Sequence, residues 1–189
     1  LDKNAWHLFS VLPETGGLPK SILETSDDKL IIGKHFGGGV YTSIDYGKIW
    51  TISDLTADYN LNIIEASDGY IYSASHQDGL YRSLNGVTWE RLNTPIDHIR
   101  TVIEGNNGRL IVGGIGLGFT GKIILSDNGG IDWQIINLDA VLPDQLFKAK
   151  DGEIYLGGQK ELMKSVDNGE TWNLLFISNS EILTFTQGK

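Results

Sequence analysis

Histidines, arginines and aspartates carry most of the chemistry open to this chain, because it contains no cysteine. The four histidines, His7, His35, His76 and His98, lack the close spacing that brings two imidazoles to one zinc ion. The absence of cysteine excludes disulfides, thiolate metal ligands and thiol nucleophiles. We therefore predict no metal, no cofactor and no catalytic residue.

A glycine-rich segment resembles a nucleotide-binding loop but lacks its context. Residues Gly116 to Gly121 read GxGxxG and follow an apolar run. The next residues, Lys122 to Ser126, continue as a strand, so no helix N-terminus is available to hold a phosphate. The same glycines and Lys122 approach GxxxxGK, but Ile123 stands where a hydroxyl would coordinate magnesium. We predict a hairpin loop here.

Composition narrows the classes of partner. A net charge of −9 and a pI near 4.8 disfavour nucleic acid and anionic membrane surfaces, since both would repel the chain. The longest uncharged apolar stretch, Leu110 to Gly121, is far shorter than the ~20 residues of a membrane-spanning helix. With 24 Gly against 4 Pro, the sequence favours many tight turns within a folded domain.

An internal repeat predicts the strands and turns that position the candidate functional residues. The five tryptophans, at positions 6, 50, 89, 133 and 172, lie 44, 39, 44 and 39 residues apart. Four of them end copies of the frame SxDxGxTW, one of which is a residue shorter. The frame residues are Ser43, Asp45, Gly47 and Trp50; Ser83, Asn85 and Trp89; Ser126, Asn128, Gly130 and Trp133; and Ser165, Asp167, Gly169, Thr171 and Trp172.

Each frame predicts a structural hairpin turn. Asp or Asn bonds backbone amides two residues on, and Gly takes positive φ at no steric cost. A second turn precedes each frame, at Asp27-Asp28, Asp68-Gly69, Asn107-Gly108 and Asp151-Gly152. Near-continuous apolar runs follow these turns, as expected for strands buried on both faces.

Each repeat therefore predicts four antiparallel strands, A to D, which is one blade of an all-β propeller. We place four complete blades at about residues 20–54, 60–93, 98–138 and 144–177 of a single domain, 1–189. Asn4 to Val11 reads as a lone strand D and Ser180 to Gln187 as a lone strand A. The two ends either pair into a small closed ring or, as we favour, flank a piece of a larger propeller.

The frame resembles the Asp-box, or bacterial neuraminidase repeat, family of β-propellers over nearly the whole chain. The segment Gly79-Leu-Tyr-Arg-Ser83 is also similar to photosystem-assembly-factor-like and sensor-propeller repeats. The resemblance implies six to eight blades, box turns on a structural face, ligands on the opposite face, and an extracytoplasmic or secreted location.

The opposite face carries the B–C and D–A loops, which vary more in length than the turns do, as functional loops tend to. Its candidate ligand residues are His35, Phe36, Tyr59, His76, Gln77, His98 and Arg100. This mixture of aromatic, amide and charged groups suits a peptide or a sugar equally well. We predict a non-catalytic module that binds a protein or carbohydrate.

The alternative function is a glycoside hydrolase, because the resemblance includes sialidase-like and glucan-cleaving enzymes. A sialidase would need three arginines around the substrate carboxylate, and only Arg100 is suitably placed. A glucan hydrolase could draw two carboxylates from Asp58, Asp97 and Asp144, for which no motif exists. If the array is open, its terminal blades expose apolar surface and self-association is expected.

Overall fold

The computed structural model describes residues 12, 16–55, 57, 59–138 and 141–179. These residues form four separate antiparallel sheets of four strands, each sheet in sequence order. A single turn of 3₁₀ helix, Asn106–Gly108, is the one helical element of the described chain. The predicted all-β, blade-like architecture is confirmed. The predicted lone strands, Asn4 to Val11 and Ser180 to Gln187, lie outside the described residues.

Each blade contains four consecutive strands. Blade 1 has β1 (Leu18–Glu24), β2 (Leu30–His35), β3 (Val40–Ser43) and β4 (Thr51–Ile52). Blade 2 has β5 (Asn60–Glu65), β6 (Ile71–Ser75), β7 (Gly79–Ser83) and β8 (Glu90–Arg91). Blade 3 has β9 (His98–Glu104), β10 (Leu110–Gly116), β11 (Thr120–Ser126) and β12 (Gln134–Asn137). Blade 4 has β13 (Gln145–Lys148), β14 (Ile154–Gly157), β15 (Glu161–Ser165) and β16 (Asn173–Ile177).

The glycine-rich segment is a hairpin, as predicted. Strands β10 and β11 pair in register out to Gly116 and Thr120, which leaves only a short tip between them. Gly118 in that tip has a φ of +76°, a conformation that glycine adopts without strain. The chain continues into β11, so it offers no helix N-terminus to a phosphate.

The SxDxGxTW frames form tight turns, which we call box turns, between the third and fourth strand of each blade. In the first, the Ser43 hydroxyl accepts the Gly47 amide at 2.9 Å and donates to the Asp45 carboxylate at 2.8 Å. That carboxylate also accepts the Lys48 and Ile49 amides at 3.1 and 2.9 Å. One serine and one aspartate thus accept hydrogen bonds from the turn's backbone amides that have no backbone acceptor.

The same hydroxyl contact closes the other three box turns at 2.9 Å, although the second turn is a residue shorter. The indole of Trp172 donates to the Gly169 carbonyl at 2.9 Å, and Trp50 and Trp89 make the equivalent contact at 3.1 Å. Trp133 differs, since its indole donates to Asn93 of the preceding blade at 3.1 Å. The tryptophans therefore staple the fourth strand to its own turn or to its neighbour.

Apolar clusters join successive blades. Ile31 and Val40 of blade 1 pack with Ile63 and Ile71 of blade 2. The largest cluster joins blades 2 and 3, and a third joins blades 3 and 4. The first strands of neighbouring blades also contact one another, so they converge as strands do around a propeller axis.

Two polar contacts repeat between blades. The Asn62 side-chain oxygen accepts the Val102 amide at 2.7 Å, and the Thr101 hydroxyl accepts the Leu146 amide at 3.1 Å. Near the box turns, a glutamate reaches back to the turn of the preceding blade: the Glu65 carboxylate accepts the Ser26 amide at 2.7 Å. Glu104 holds Ser67 in the same way, with amide contacts of 3.0 and 3.1 Å.

Candidate ligand-binding face

The B–C and D–A connections lie at the end of each sheet away from the box turns, because consecutive strands are antiparallel. The structure gathers several of the predicted ligand residues at this end of blades 1 to 3. We call the set His35, Phe36, Tyr59, His76 and His98 the ring track.

Ring contacts run along the whole track. The ring centroids of His35 and Phe36 lie 4.0 Å apart, and Tyr59 meets these two rings edge-on at 4.7 and 5.5 Å. Tyr59 then approaches His76 at 6.1 Å, and His76 approaches His98 at 5.5 Å. Offset and edge-to-face pairs at these distances are mutually stabilising, so the rings hold one another in place.

Backbone contacts fix the track to the sheets. His35 ends β2 and pairs with Tyr59 in an isolated antiparallel bridge. The His76 amide donates to the Tyr59 carbonyl at 3.1 Å, and Nδ1 of His98 lies 3.0 Å from the His76 carbonyl oxygen. Three blades therefore contribute to one continuous surface.

Phe36 adopts a strained backbone within this surface. Its φ is +62°, in the left-handed region that bulky residues rarely occupy, and its side chain is 59% exposed. Phe119, at the tip of the β10–β11 hairpin, has a φ of +58° and is 86% exposed. Strain of this kind is concentrated at binding sites, where the surrounding structure imposes it.

Charged groups flank the His98 end of the track. Arg100 pairs with Asp144 across the blade 3–4 boundary. Arg91 donates to the Asp78 carbonyl at 2.5 Å and lies 3.3 Å from the Asp97 carboxylate. Arg100 lies close enough to the track for its charge to act on His76, and it has a carboxylate partner in Asp144.

Burial lowers the pKa of His76, and the positive charges of Arg100, His98 and His35 lower it further. A lowered pKa keeps this imidazole neutral at physiological pH, able to donate through one nitrogen and accept through the other. The centre of the track is therefore polar yet uncharged near pH 7.

Several sequence assignments differ from the structure in detail. His35 and His98 were predicted in loops but belong to β2 and β9. Gln77 lies exposed in the β6–β7 turn, where a B–C loop was predicted, and as an amide it adds no ring to the track. Only Arg100 was predicted to be a suitably placed arginine, so Arg91 in β8 was missed. Because β8 is only two residues long, Arg91 stands at the end of its sheet and reaches the loop face.

The candidate carboxylates of a hydrolase do not form a free pair. Asp97 and Asp144 each contact an arginine, and Asp58 lies outside the described residues. Among the described residues, no group of three or more His, Asp or Glu is arranged to hold a metal ion. The described part of the chain also has no helix long and apolar enough to cross a membrane.

No family model matches the chain, and no curated protein matches it in sequence. Among solved structures, the chain is similar to a catalytically inactive virginiamycin B lyase from Staphylococcus aureus with quinupristin. The two structures align with a TM-score of 0.72 and 15% sequence identity, and the alignment covers 89% of this chain and 58% of the lyase chain. YCF48 bound to D1 peptide aligns with a TM-score of 0.68 and 21% sequence identity, and the alignment covers 90% of this chain and 57% of YCF48.

A chain of the nidogen/laminin complex gives a TM-score of 0.69 at 13% identity, covering 86% of this chain and 66% of that one. The chain thus spans less than three fifths of the length of the lyase and YCF48. At these identities the likeness establishes the fold and not the activity. Together with the four sheets, it identifies the chain as part of a β-propeller.

Proposed function

We propose that this chain is a binding module that holds an extended segment of a protein partner along the ring track. One observation carries the proposal: five rings from three blades form one contiguous, partly exposed surface at the loop face. Aromatic and imidazole rings combine a large apolar contact area with polar tips and lose little side-chain entropy on binding.

The geometry favours a peptide over a sugar. The Tyr59 ring is inclined at 69°, 65° and 70° to the rings of His35, Phe36 and His76, so the rings of the track do not form one flat platform on which a sugar would stack. Two similar structures support this choice, since YCF48 was solved bound to a D1 peptide and nidogen was solved in complex with laminin. Carbohydrate remains the alternative ligand class.

The test is binding to an array of random peptides and, in parallel, to an array of glycans. We expect the chain to select peptides, and Tyr59→Ala, which removes the ring in contact with His35, Phe36 and His76, to weaken that binding about tenfold or more. Ile131→Ser, at an exposed site on a box turn, is the matched control. Selection of glycans alone, or peptide binding unaffected by Tyr59→Ala, would contradict the proposal.

A panel of fluorogenic glycosides, including a sialoside, tests the hydrolase alternative. We expect no turnover, because Asp97 and Asp144 already accept from Arg91 and Arg100. Turnover that disappears in Asp97→Asn or Asp144→Asn would replace the binding module with a glycoside hydrolase.

Three further proposals accompany the binding role. The recurring box-turn contacts support membership of the Asp-box family. That resemblance in turn favours an extracytoplasmic or secreted location, which fractionation of the source cells would test. Self-association is proposed as well, because apolar side chains remain exposed on blade 1.

A further inference from the structure

The hairpin between β10 and β11 extends further from its sheet than the equivalent hairpins of the other three blades. Strand β10 pairs with β11 from Leu110 to Gly116. The equivalent pairing ends at Ser75 in blade 2, and at Gly33 and Gly157 in blades 1 and 4. Counted from the residue that pairs with each box-turn serine, blade 3 thus gains two residue pairs over blade 2 and three over blades 1 and 4. At about 3.4 Å per residue, its tip extends roughly 7 to 10 Å further out at the loop face.

The strand register of blade 3 places this hairpin beside the ring track. Ile115 of β10 pairs with His98, the last ring of the track. Counted from the same serine partner, Ile115 is equivalent to His35 and His76, so it continues their row into blade 3. A side chain on Gly114 would collide with the His98 carbonyl oxygen, so glycine allows β10 to lie close against this end of the track. The hairpin and the track therefore form one continuous surface.

Hydrogen bonds and a close backbone approach fix the hairpin in position. The Leu138 amide donates to the Gly121 carbonyl at 3.1 Å. A side chain on Gly121 would collide with the Val141 carbonyl oxygen, so the connection to blade 4 packs directly on the base of the hairpin. At the tip, the Thr120 hydroxyl donates to the Leu117 carbonyl at 3.2 Å. The tip is thus presented at a defined place beside the track.

Two large apolar side chains at the tip are open to solvent. Leu117 is 100% exposed and Phe119 is 86% exposed, although blade 3 has a neighbouring blade on each side. Neither side chain belongs to an apolar cluster of the described residues. Phe119 also has a φ of +58°, where Gly would be unstrained and Asn is favoured over other side chains. An exposed apolar ring held on a strained backbone points to a ligand that covers it.

Phe36 presents a similar group at the other end of the track. Its side chain is 59% exposed and its φ is +62°. Ring-centroid steps of 5.5, 6.1 and 5.5 Å lead along the track from Phe36 to His98. The hairpin tip begins two residues beyond Ile115, the partner of His98, which adds roughly 7 Å. An extended chain covers the whole path in about six to eight residues.

We infer that the ring track selects an extended peptide segment that carries two large apolar side chains about six to eight residues apart. One apolar side chain packs on Phe36, and the other packs on Leu117 and Phe119. The residues between them lie along the imidazoles and Tyr59. The inference rests on the proposed function and deepens it, because it states which protein segments the track binds.

The chemistry along the path suits a segment with apolar ends and an unspecified middle. Apolar surface at both ends gains affinity when a partner side chain removes it from water. Between the ends, imidazole nitrogens and a phenol can exchange hydrogen bonds with the backbone amides and carbonyls of any extended segment. Selectivity therefore resides in the two apolar side chains and in the distance between them.

An array of twelve-residue peptides tests the inference. Each peptide consists of Gly, Ser and Thr around two leucines, whose separation runs from two to ten residues. We expect binding to be strongest at six to eight residues, by about tenfold or more over peptides with one leucine. Phe119→Asn and Leu117→Ser should each weaken the binding of the best peptides about tenfold and remove the preference for that separation. Ile44→Ser, 79% exposed on a box turn, is the matched control and should change neither.

The melting temperature separates a binding role of Phe119 from a structural one. Asn fits a φ of +58° better than Phe, so Phe119→Asn should melt no lower than the wild type although it binds poorly. A lower melting temperature, unchanged binding, or binding that ignores the leucine separation would each overturn the inference. If Tyr59→Ala weakens every peptide and Phe119→Asn weakens none, the inference fails while the proposed function stands. If no peptide binds to the wild type, both fail.

Discussion

At the scale of single residues, the buried serine of each box turn has the clearest energetic role. Ser165 is 0% exposed; its hydroxyl accepts the Gly169 amide at 2.9 Å and donates to Asp167 at 2.8 Å. Asp167 in turn accepts the Thr171 amide and hydroxyl at 2.9 and 2.5 Å. One hydroxyl thus orients the carboxylate that satisfies the rest of the turn.

We expect Ser165→Ala to destabilise the protein by about 1–3 kcal/mol, because a buried amide loses its acceptor. Thermal unfolding followed by tryptophan fluorescence measures the effect. Val166→Ser, 66% exposed next to it, is the control and should change stability by less than about 0.5 kcal/mol. Equal effects of the two substitutions would show that the hydroxyl contact is not stabilising.

The lowered pKa of His76 makes stability depend on pH. Because burial and nearby positive charge lower this pKa in the folded state, the unfolded state binds more protons as the pH falls below about 6.5. Folding therefore loses stability over that range. The pKa values of Asp45, Asp127 and Asp167 are also lowered, so these carboxylates lose their contribution to stability at more acidic pH, below their ordinary pKa of 3.8.

We expect His76→Gln to reduce the fall in melting temperature between pH 7.5 and pH 5.5, since a side chain that cannot be protonated carries no such penalty. The comparison needs melting curves of both proteins at the two pH values. An unchanged or larger fall in the variant would contradict this account of His76.

At the scale of elements, the sequence predicted the strands and turns because these depend on local chemistry. Asp68-Gly69, for example, starts a hairpin before the fully buried β6, as alternating turn and apolar segments imply. Strand ends were less predictable: His35 and His98 were expected in loops but end β2 and begin β9. Pairing with a neighbouring strand decides where a strand begins, and single-residue preferences carry little information about it.

The candidate site was predictable only as a set of residues. Sequence placed His35, Tyr59, His76 and His98 at one end of the blades, but the ring contacts depend on the spacing between blades, which no local pattern encodes. Arg91 was missed for the same reason, since its contact with Asp78 follows from the short β8.

Hydrogen bonds that recur between the first strands of neighbouring blades help to hold the blades together. We expect Thr101→Val to cost about 1–3 kcal/mol, because the change preserves volume but leaves the Leu146 amide buried without its acceptor. Thr51→Val, at an exposed site on β4, is the matched control. Urea denaturation measures both, and a neutral Thr101→Val would mean that water or another group satisfies the amide.

At the scale of the whole molecule, stability is a sum of blade and boundary terms, because each blade contacts mainly its neighbours. Blades 2 and 3 have apolar clusters on both sides, whereas blades 1 and 4 each share only one cluster within the described residues. In this 189-residue chain taken by itself, local opening should therefore begin in blades 1 and 4.

Hydrogen exchange, measured on a dilute and monomeric sample, compares the local stability of the central and outer blades. We expect amides of β6 and β10 to exchange at least about tenfold more slowly than those of β2 and β14, since opening a central blade breaks two boundaries. Leu146→Ala, at 5% exposure within the blade 3–4 cluster, should cost about 2–5 kcal/mol and speed exchange most in blade 4 and least in blade 1. Equal acceleration in all four blades would show that the array unfolds as one cooperative unit, in which the boundaries do not act independently.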